Sequence, residues 1–544
     1  MSNTVGKRER IAWIRQLGAL LSLAFAVAGC GAPEVRRTPE LAALAAKLDA
    51  IETTRLAEQS KSAPVTIEQA TERLTRQVVE PNETQRVVRL SLDEVRAAAL
   101  ANNLDLKVEM IDPAIAQLSL DAERAKFESV FYGSARHARS KPNDGDADSS
   151  RAYEAGVETP LQTGGAIIAS VPMEESGGVA AAAASVSVVQ SLLQGAGTRV
   201  NLHSIRLAAY QKDRVDASTK LQAISILSTA DIYYWYLYSA RKELDVSREQ
   251  YKLNQDQLKN ARYKVEAGSA AKNEIIRAEA GLASCLDTMI SAETSVRDCE
   301  RSLKRIMNRP DLPLNEQIDL IPTTDPNPQG LDLDQEALVA AALANRMELA
   351  DLEYRLAMNE IGIEQAKNNL LPQLDVSYRF SAGGQAGATG RALENILDNT
   401  STDHSVGLSA TVPLGNRAAK ARLQQARLDR VQTTISRDLL EQEIRQEVYD
   451  AVDGLQQNWR RILAAEQGVD QAGRSYRVEQ LQFQLGGRTS TEVLQAASNL
   501  AGAQLRKISA FVNYEIAQVY LARATGTLLG HGQIRLASES NPEL

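Results

Sequence analysis

Aromatic residues are scarce in this chain of 544 residues: 4%, with 6 Phe and 3 Trp. Proline and glycine number only 16 and 32, which excludes collagen-like and Pro/Gly-rich disordered chains. Three cysteines cannot build a disulfide framework. The four histidines, His137, His203, His404 and His531, stand far apart and show no metal-ligand spacing. Basic residues are outnumbered, 61 against 69, for a net charge of −8. Neutralising phosphates needs a basic surface, so nucleic acid is not an expected partner. Long hydrophobic runs are also missing. Beyond the first thirty residues no run reaches the 18 or so apolar residues of a membrane helix. Such a chain can enter a bilayer only as a closed barrel. What is present is 44% hydrophobic and 24% charged residues, enough for a large core in an Ala-rich, mainly helical chain. No constellation points to an enzyme, a cofactor or a metal. Glu441 and Glu443 read as an exposed helix face with no acid–base role.

The first thirty residues carry an address. Lys7, Arg8, Arg10 and Arg15 form a basic region, and Leu17 to Val27 form an apolar stretch too short to span a bilayer. Residues 1–29 are therefore expected to be a signal peptide. The junction Val27-Ala28-Gly29-Cys30 resembles the lipobox of bacterial lipoproteins, in which the cysteine is lipidated (diacylglycerol and palmitate) and becomes the mature N-terminus. Gly31 and Ala32 lack the Asp-type inner-membrane retention signal, so the resemblance implies anchorage in outer-membrane lipid. Residues 30–88 read as a lipid-anchored linker, with a helix possible at 40–60.

Proline placement divides the rest. No proline occurs between Pro172 and Pro310, or between Pro413 and Pro542. Proline breaks helix interiors, so these gaps can hold very long helices. In the second gap Val431, Ile435, Leu439, Ile444, Val448, Val452, Leu455, Trp459 and Ile462 follow one another at helical steps. A helix over 417–485 would be a rod of roughly 100 Å, which must pack on other long helices as a coiled coil. The first gap reads alike over about 198–265. Its aromatic run Tyr233, Tyr234, Trp235, Tyr236 and Tyr238 covers every face of a helix, so part of it should meet a partner surface. Cys285 and Cys299 share a face of the following helix at ~21 Å separation, beyond disulfide reach, and read as free buried thiols.

The two parts resemble each other. AALANNLDL (98–106) reappears as AALANRMEL (341–349), and the helix-to-strand change at 127–131 reappears at 370–374. SVSVVQSLLQG (185–195) parallels SVGLSATVPLG (405–415), and 261–280 parallels 480–498. The first part has an insertion around 153–173 that reads as strand, Gly-Gly turn, strand. Each part reads as helix, strand, polar loop, strand, very long helix, glycine turn, helix. The polar loops are placed at 139–152 and 381–404. The expected organisation is repeat 1 over 89–309, a Pro-rich connector over 310–330, repeat 2 over 331–529 and a tail over 530–544. Pro113 should kink the first short helix or mark its start.

This order resembles the outer membrane efflux protein family, the TolC-like channels. The stretches that carry it are LSLDEVRAAALANNLDL (90–106), TPLQTGG (159–165), QSLLQGAG (190–197), YYWYLYSARKELDV (233–246) and YKVEAGSAAKNEIIRAEAGLA (263–283). The resemblance implies a mainly α fold with membrane β. Its parts are a long antiparallel coiled-coil α-barrel and four strands per chain in a 12-stranded, trimeric β-barrel. Tyr132, Tyr153, Tyr378 and Phe380 are the candidates for an aromatic girdle, with the insertion leaving the strand count open. It implies a passive outer-membrane exit duct of a tripartite efflux system. Its partners would be a periplasmic adaptor protein and an inner-membrane pump of the resistance-nodulation-division or ABC type. The chain would sit in the cell outer membrane and extend into the periplasm. The same channel in type I protein secretion is an alternative, and a periplasmic coiled-coil scaffold lipoprotein is a third reading. The hairpin tips Gly268, Gly486 and Gly487 are the expected adaptor-docking points. Glu274 and Glu492, the first carboxylates after each tip, are candidates for a pore constriction.

Overall fold

The computed structural model describes residues 67, 86–140, 148–269, 271–387, 392, 401–485 and 487–531. Cys30, the signal peptide, nearly all of the 30–88 linker and Gly486 lie outside the described residues.

From Glu83 onward the chain forms one unit. It opens with β1 (Arg86–Leu90), α1 (Leu92–Asn102), α2 (Leu104–Glu109) and α3 (Asp112–Ala125). Ser91 starts α1 through a capping box with Glu94, so two otherwise orphaned N–H groups are satisfied. Pro113 lies in the first turn of α3 and marks its start, where a missing N–H costs nothing. Four strands follow: β2 (Val130–Ser140), β3 (Asp148–Pro160), β4 (Gly165–Ser176) and β5 (Val179–Ser191). A short α4 (Thr198–Asn201) leads into α5 (His203–Glu266), 64 residues long, and α6 (Asn273–Met307) returns along it. After β6 (Ile318–Pro322) the pattern recurs as α7 (Gln335–Asn345), α8 (Met347–Asn368), β7 (Gln373–Ala386), β8 (Ser401–Thr411), α9 (Arg417–Gln484) and α10 (Ser490–Ala524), closed by α11 (Leu528–His531). Helices α1 and α7 are 11 residues each, and α6 and α10 are 35 each. At ~1.5 Å per residue, α9 with its 68 residues is a rod of about 100 Å.

The sheet has six strands where the family pattern implied four. They lie in the order β2-β3-β4-β5-β7-β8, all antiparallel. The insertion is the physical reason: β3 and β4 pair over eleven positions, as many as β2 with β3 or β7 with β8. The strands also run on into segments expected as polar loops, reaching Ser140 and Asp148 on one side and Ala386 and Ser401 on the other.

The helices explain most of the burial. Ile444, Val448, Val452, Leu455 and Ile462 of α9 are nearly inaccessible and pack against Val339, Ala342, Leu349, Tyr514 and Ala517. Each such side chain contributes roughly 1.5–3 kcal/mol through burial. The upper part of the same stripe, Val431, Ile435 and Leu439, is more than half exposed. Cys285 and Cys299 are free and half-buried rather than buried, and burial raises both thiol pKa values.

The Pro-rich connector is a strap across the helices. Its strand β6 pairs in parallel with β1. Thr323 N donates to Leu90 O at 2.9 Å, and Thr324 N donates to the Tyr234 hydroxyl at 2.7 Å. Tyr238 donates to Asp325, Asn327 N donates to Glu515, and Tyr514 donates to Gln329 O. Burial, then the Asp325 contact, pushes the Tyr238 phenol up to about 12, and burial raises the Glu515 carboxyl. The aromatic run is thus committed to the strap, with Tyr234 and Trp235 buried and Tyr236 left exposed. One turn of α5 before Tyr234, the fully buried Asp231 is gripped by Arg96 of α1 with two hydrogen bonds of 2.8 and 2.9 Å. The two halves share one further device: Asn103 donates to Ile306 O, and Arg346 donates to Ala524 O, each tying a short helix to the end of a returning one.

Candidate functional site: a channel wall and its hairpin tips

Side chains alternate across a strand, and directly paired residues share a face, so the registers sort the whole sheet. One face carries Phe131, Val157, Ala169, Val186, Phe380 and His404 in a single row. The next row on this face carries Ile167, Val188, Tyr378 and Val406. The opposite face carries Tyr132, Gly156, Ser170, Ser185 and Ser381 in one row, with Glu154, Glu158, Asp375, Arg379 and Ser409 in others. In these rows the sheet is apolar on one side and polar on the other, with Arg139, Arg151 and Glu175 joining the apolar side only at the end remote from the helices; such a pattern, on strands of 11 to 14 residues, suits a barrel wall between lipid and water. Tyr153, Tyr378 and Phe380 lie on the apolar face, as a girdle requires. Tyr132 does not: its side chain sits on the polar face and donates to Glu154 at 3.1 Å.

Sheet and helices end in the same order. Beneath β2, β5, β7 and β8 stand α3, α5, α8 and α9, each packed on the next. The free flanks are therefore α3 with β2 on one side and α9 with β8 on the other. Among the described residues both bear exposed apolar stripes: Ile111, Ile115 and Leu118 on the first, Leu428, Val431 and Ile435 on the second, all more than half exposed.

Two glycine motifs meet where sheet becomes helix. The β3–β4 turn at 161–164 packs into the segment after β5. Gly197 N donates to Thr163 O at 2.9 Å, and the Gln190 amide donates to the same oxygen at 2.9 Å. Gly164 has φ +91°, and a Cβ there would stand 1.9 Å from Gly195 O. Gly195 N in turn donates to the Asn368 side chain at the end of α8, at 2.8 Å. Leu192 N and Gln194 N donate to Leu374 O and Pro372 O at the start of β7. Only glycine permits so close a backbone approach.

At the far end the helices turn back. Gly268 follows α5 with φ +70° and open space around its Cβ position. Gly487 differs: its φ is not positive, and a Cβ would make ordinary contact with Gln482 O at 3.6 Å. The positive-φ argument for a glycine therefore applies to the first tip and not to Gly487. Thr489 and Glu492 form a capping box at the start of α10, and Arg488 bridges Glu492 at 2.7 Å and Glu479 at 3.2 Å. The Thr489 backbone N–H, then Arg488, holds the Glu492 carboxyl below its usual range. Glu274, in the first turn of α6, pairs with Arg277 at 3.3 Å, and its Oε2 is buried without a hydrogen bond. Lys264 lies 3.4 Å over the Phe483 ring and Gln257 donates to Ser490 at 2.7 Å, linking the two hairpins near their tips.

Residues 338–527 match the outer membrane efflux protein family. Over 361 residues the chain is 24% identical to outer membrane protein TolC of Escherichia coli K12, covering 64% of this chain and 70% of that one. It is 20% identical over 347 residues to outer membrane efflux protein BepC of Brucella suis, covering 63% and 72%. The crystal structure of the CmeC outer membrane channel of Campylobacter jejuni superposes with a TM-score of 0.63 at 16% identity, over 89% of this chain and 91% of that chain. Over these stretches the chain is similar to outer membrane efflux proteins. No helix among the described residues is long and apolar enough to cross a membrane. The strap, the Arg96–Asp231 pair and the glycine junction were missed by sequence reasoning. Only the glycine motifs left a signal, as two Gly-rich strand ends.

Proposed function

We propose that this chain is the exit duct of a tripartite efflux system. It would act as a trimer, anchored through Cys30 in the outer membrane and reaching into the periplasm. The observation that carries this is the sheet: an amphipathic wall with two unpaired edges, above two long helical hairpins. Unpaired strand edges cannot face lipid, so copies of the chain must complete each other. The exposed stripes on α3 and α9 give the helical layer the same need. Solutes pass through without chemistry, driven by an inner-membrane pump of the resistance-nodulation-division or ABC type, which a periplasmic adaptor couples to the tips. Residues 30–88 tether the lipid anchor to the barrel. Mass spectrometry of the native N-terminal peptide tests the anchor. A diacylglyceryl cysteine at residue 30 is expected, and an unmodified peptide beginning elsewhere would contradict it.

Adaptor docking at the tips is tested by bulky substitutions. Gly268→Val forces a β-branched residue into left-handed backbone, at about 1–2 kcal/mol. Gly487→Val carries no such strain. Both should abolish export in cells while the trimer still forms. Loss of export in Gly268→Val alone would mark the defect as turn strain and argue against docking at the second tip.

A constriction at Glu274 and Glu492 is tested by single-channel recording in planar bilayers. Glutamine keeps the N3 role of the capping box, so Glu492→Gln preserves the start of α10. The double variant Glu274→Gln/Glu492→Gln should lower cation preference and raise conductance, since up to six carboxylates would leave a narrow mouth. Unchanged reversal potential and conductance would leave Glu492 as a helix cap only, with its charge spent on Arg488.

A further inference from the structure

We infer that the barrel of this protein has eighteen strands, six from each of three copies, closed by pairing β8 of one copy with β2 of the next. The inference rests on the trimeric-channel reading above and departs from the 12-stranded barrel that the family resemblance implies. Three observations carry it. The added hairpin β3–β4 is no appendage, because β3 pairs with β2 and β4 pairs with β5 along their lengths. On the helix side of the hairpin its residues keep the alternation of the neighbouring rows, with Val157, Ile167 and Ala169 on the apolar face and Glu154, Glu158 and Ser170 on the polar one; Ile168 is the exception there, and the Arg151–Glu175 pair occupies the apolar face only at the end remote from the helices. Its turn is locked into the β5–α4 junction by Thr163, Gly164 and Gln190, which holds it at the level where the sheet meets the helices.

The two edges fit each other. Strands β2 and β8 are both 11 residues long, and the up-and-down order leaves them running in opposite directions. Joining them continues an antiparallel ladder, and the total is an even number, as single-ring outer-membrane barrels require. The α3 and α9 flanks beneath would meet in the same step, burying both apolar stripes. Barrel diameter grows roughly linearly with strand number, so this mouth would be about one and a half times as wide as a 12-stranded one. The narrowest point is then left to the helical tips, and the outer mouth can pass bulkier solutes than the helical end admits.

The test uses the full-length protein in lipid nanodiscs. Native mass spectrometry gives the copy number, and cryo-electron microscopy counts the strands. In parallel, Val157→Cys and Glu158→Cys are labelled with a membrane-impermeant maleimide, against the parent protein as background for Cys285 and Cys299. A trimer with eighteen strands, in which residue 157 reacts roughly tenfold more slowly than residue 158, is the expected result. A trimer with twelve strands, or with both positions equally reactive, overturns the inference and leaves the channel reading standing. A protein that is no trimer and forms no barrel overturns the channel reading and this inference with it. The strand count is read on the unsubstituted protein, so a cysteine variant that fails to fold does not spare the proposal.

Discussion

Asp231→Ala should destabilise the protein by about 3–5 kcal/mol, because it leaves the mostly buried Arg96 guanidinium with only the long 3.4 Å contact to the solvent-exposed Asp93. Asp231 is fully buried, and the pair is held by two hydrogen bonds between α1 and the middle of α5. Thermal unfolding of the detergent-solubilised protein, followed by helical circular dichroism, reads the loss directly. The double variant Arg96→Met/Asp231→Leu should recover most of it, since an apolar pair of similar volume needs no compensating charge. A single variant that unfolds at the wild-type temperature would show that Arg96 reaches water once Asp231 is removed.

Arginine at position 406 should block assembly in the outer membrane. Val406 is mid-strand in β8 on the apolar face, paired with Tyr378. Placing Arg or Lys at the lipid midplane costs about 2–4 kcal/mol per copy, and a trimer bears it three times. Ser409→Arg, three residues along the same strand, puts the same side chain on the polar face opposite Asp375. It should be tolerated. Fractionation of membranes on density gradients, with the trimer band scored on unheated gels, separates the two. Equal assembly of both variants would mean that the face assigned to lipid does not touch it.

The helical half of this architecture was legible in the sequence, for reasons that can be named. A helix is closed by its own hydrogen bonds, so its extent follows from where proline is absent and where apolar residues recur. The expected rod at 417–485 and the observed α9 at Arg417–Gln484 differ by a single residue at the end. Strand ends were less legible. The segments expected as loops, 139–152 and 381–404, contribute residues to four strands, because polar residues such as Ser150, Ser381 and Asp403 belong on the water-facing side of a wall. Alternation was visible, but a strand that is polar on one face and short of aromatics on the other reads weakly against a loop.

The sequence alone determined the long helices and the glycine turns between them, because each depends on neighbours within a few residues or on a repeated pattern. Contacts between distant segments were decided only in the folded chain. The strap from Thr323 to Gly330 lies across α5, α9 and α10, and its partners Tyr234, Tyr514 and Trp459 are far from it in sequence. The meeting of Gly164 with Gly195 depends on β3, β4 and β5 pairing in register. Six strands rather than four, and the two free edges that result, follow from those registers. A residue's neighbours in a sheet are set by hydrogen bonds to other strands, and no local pattern records which strands those are.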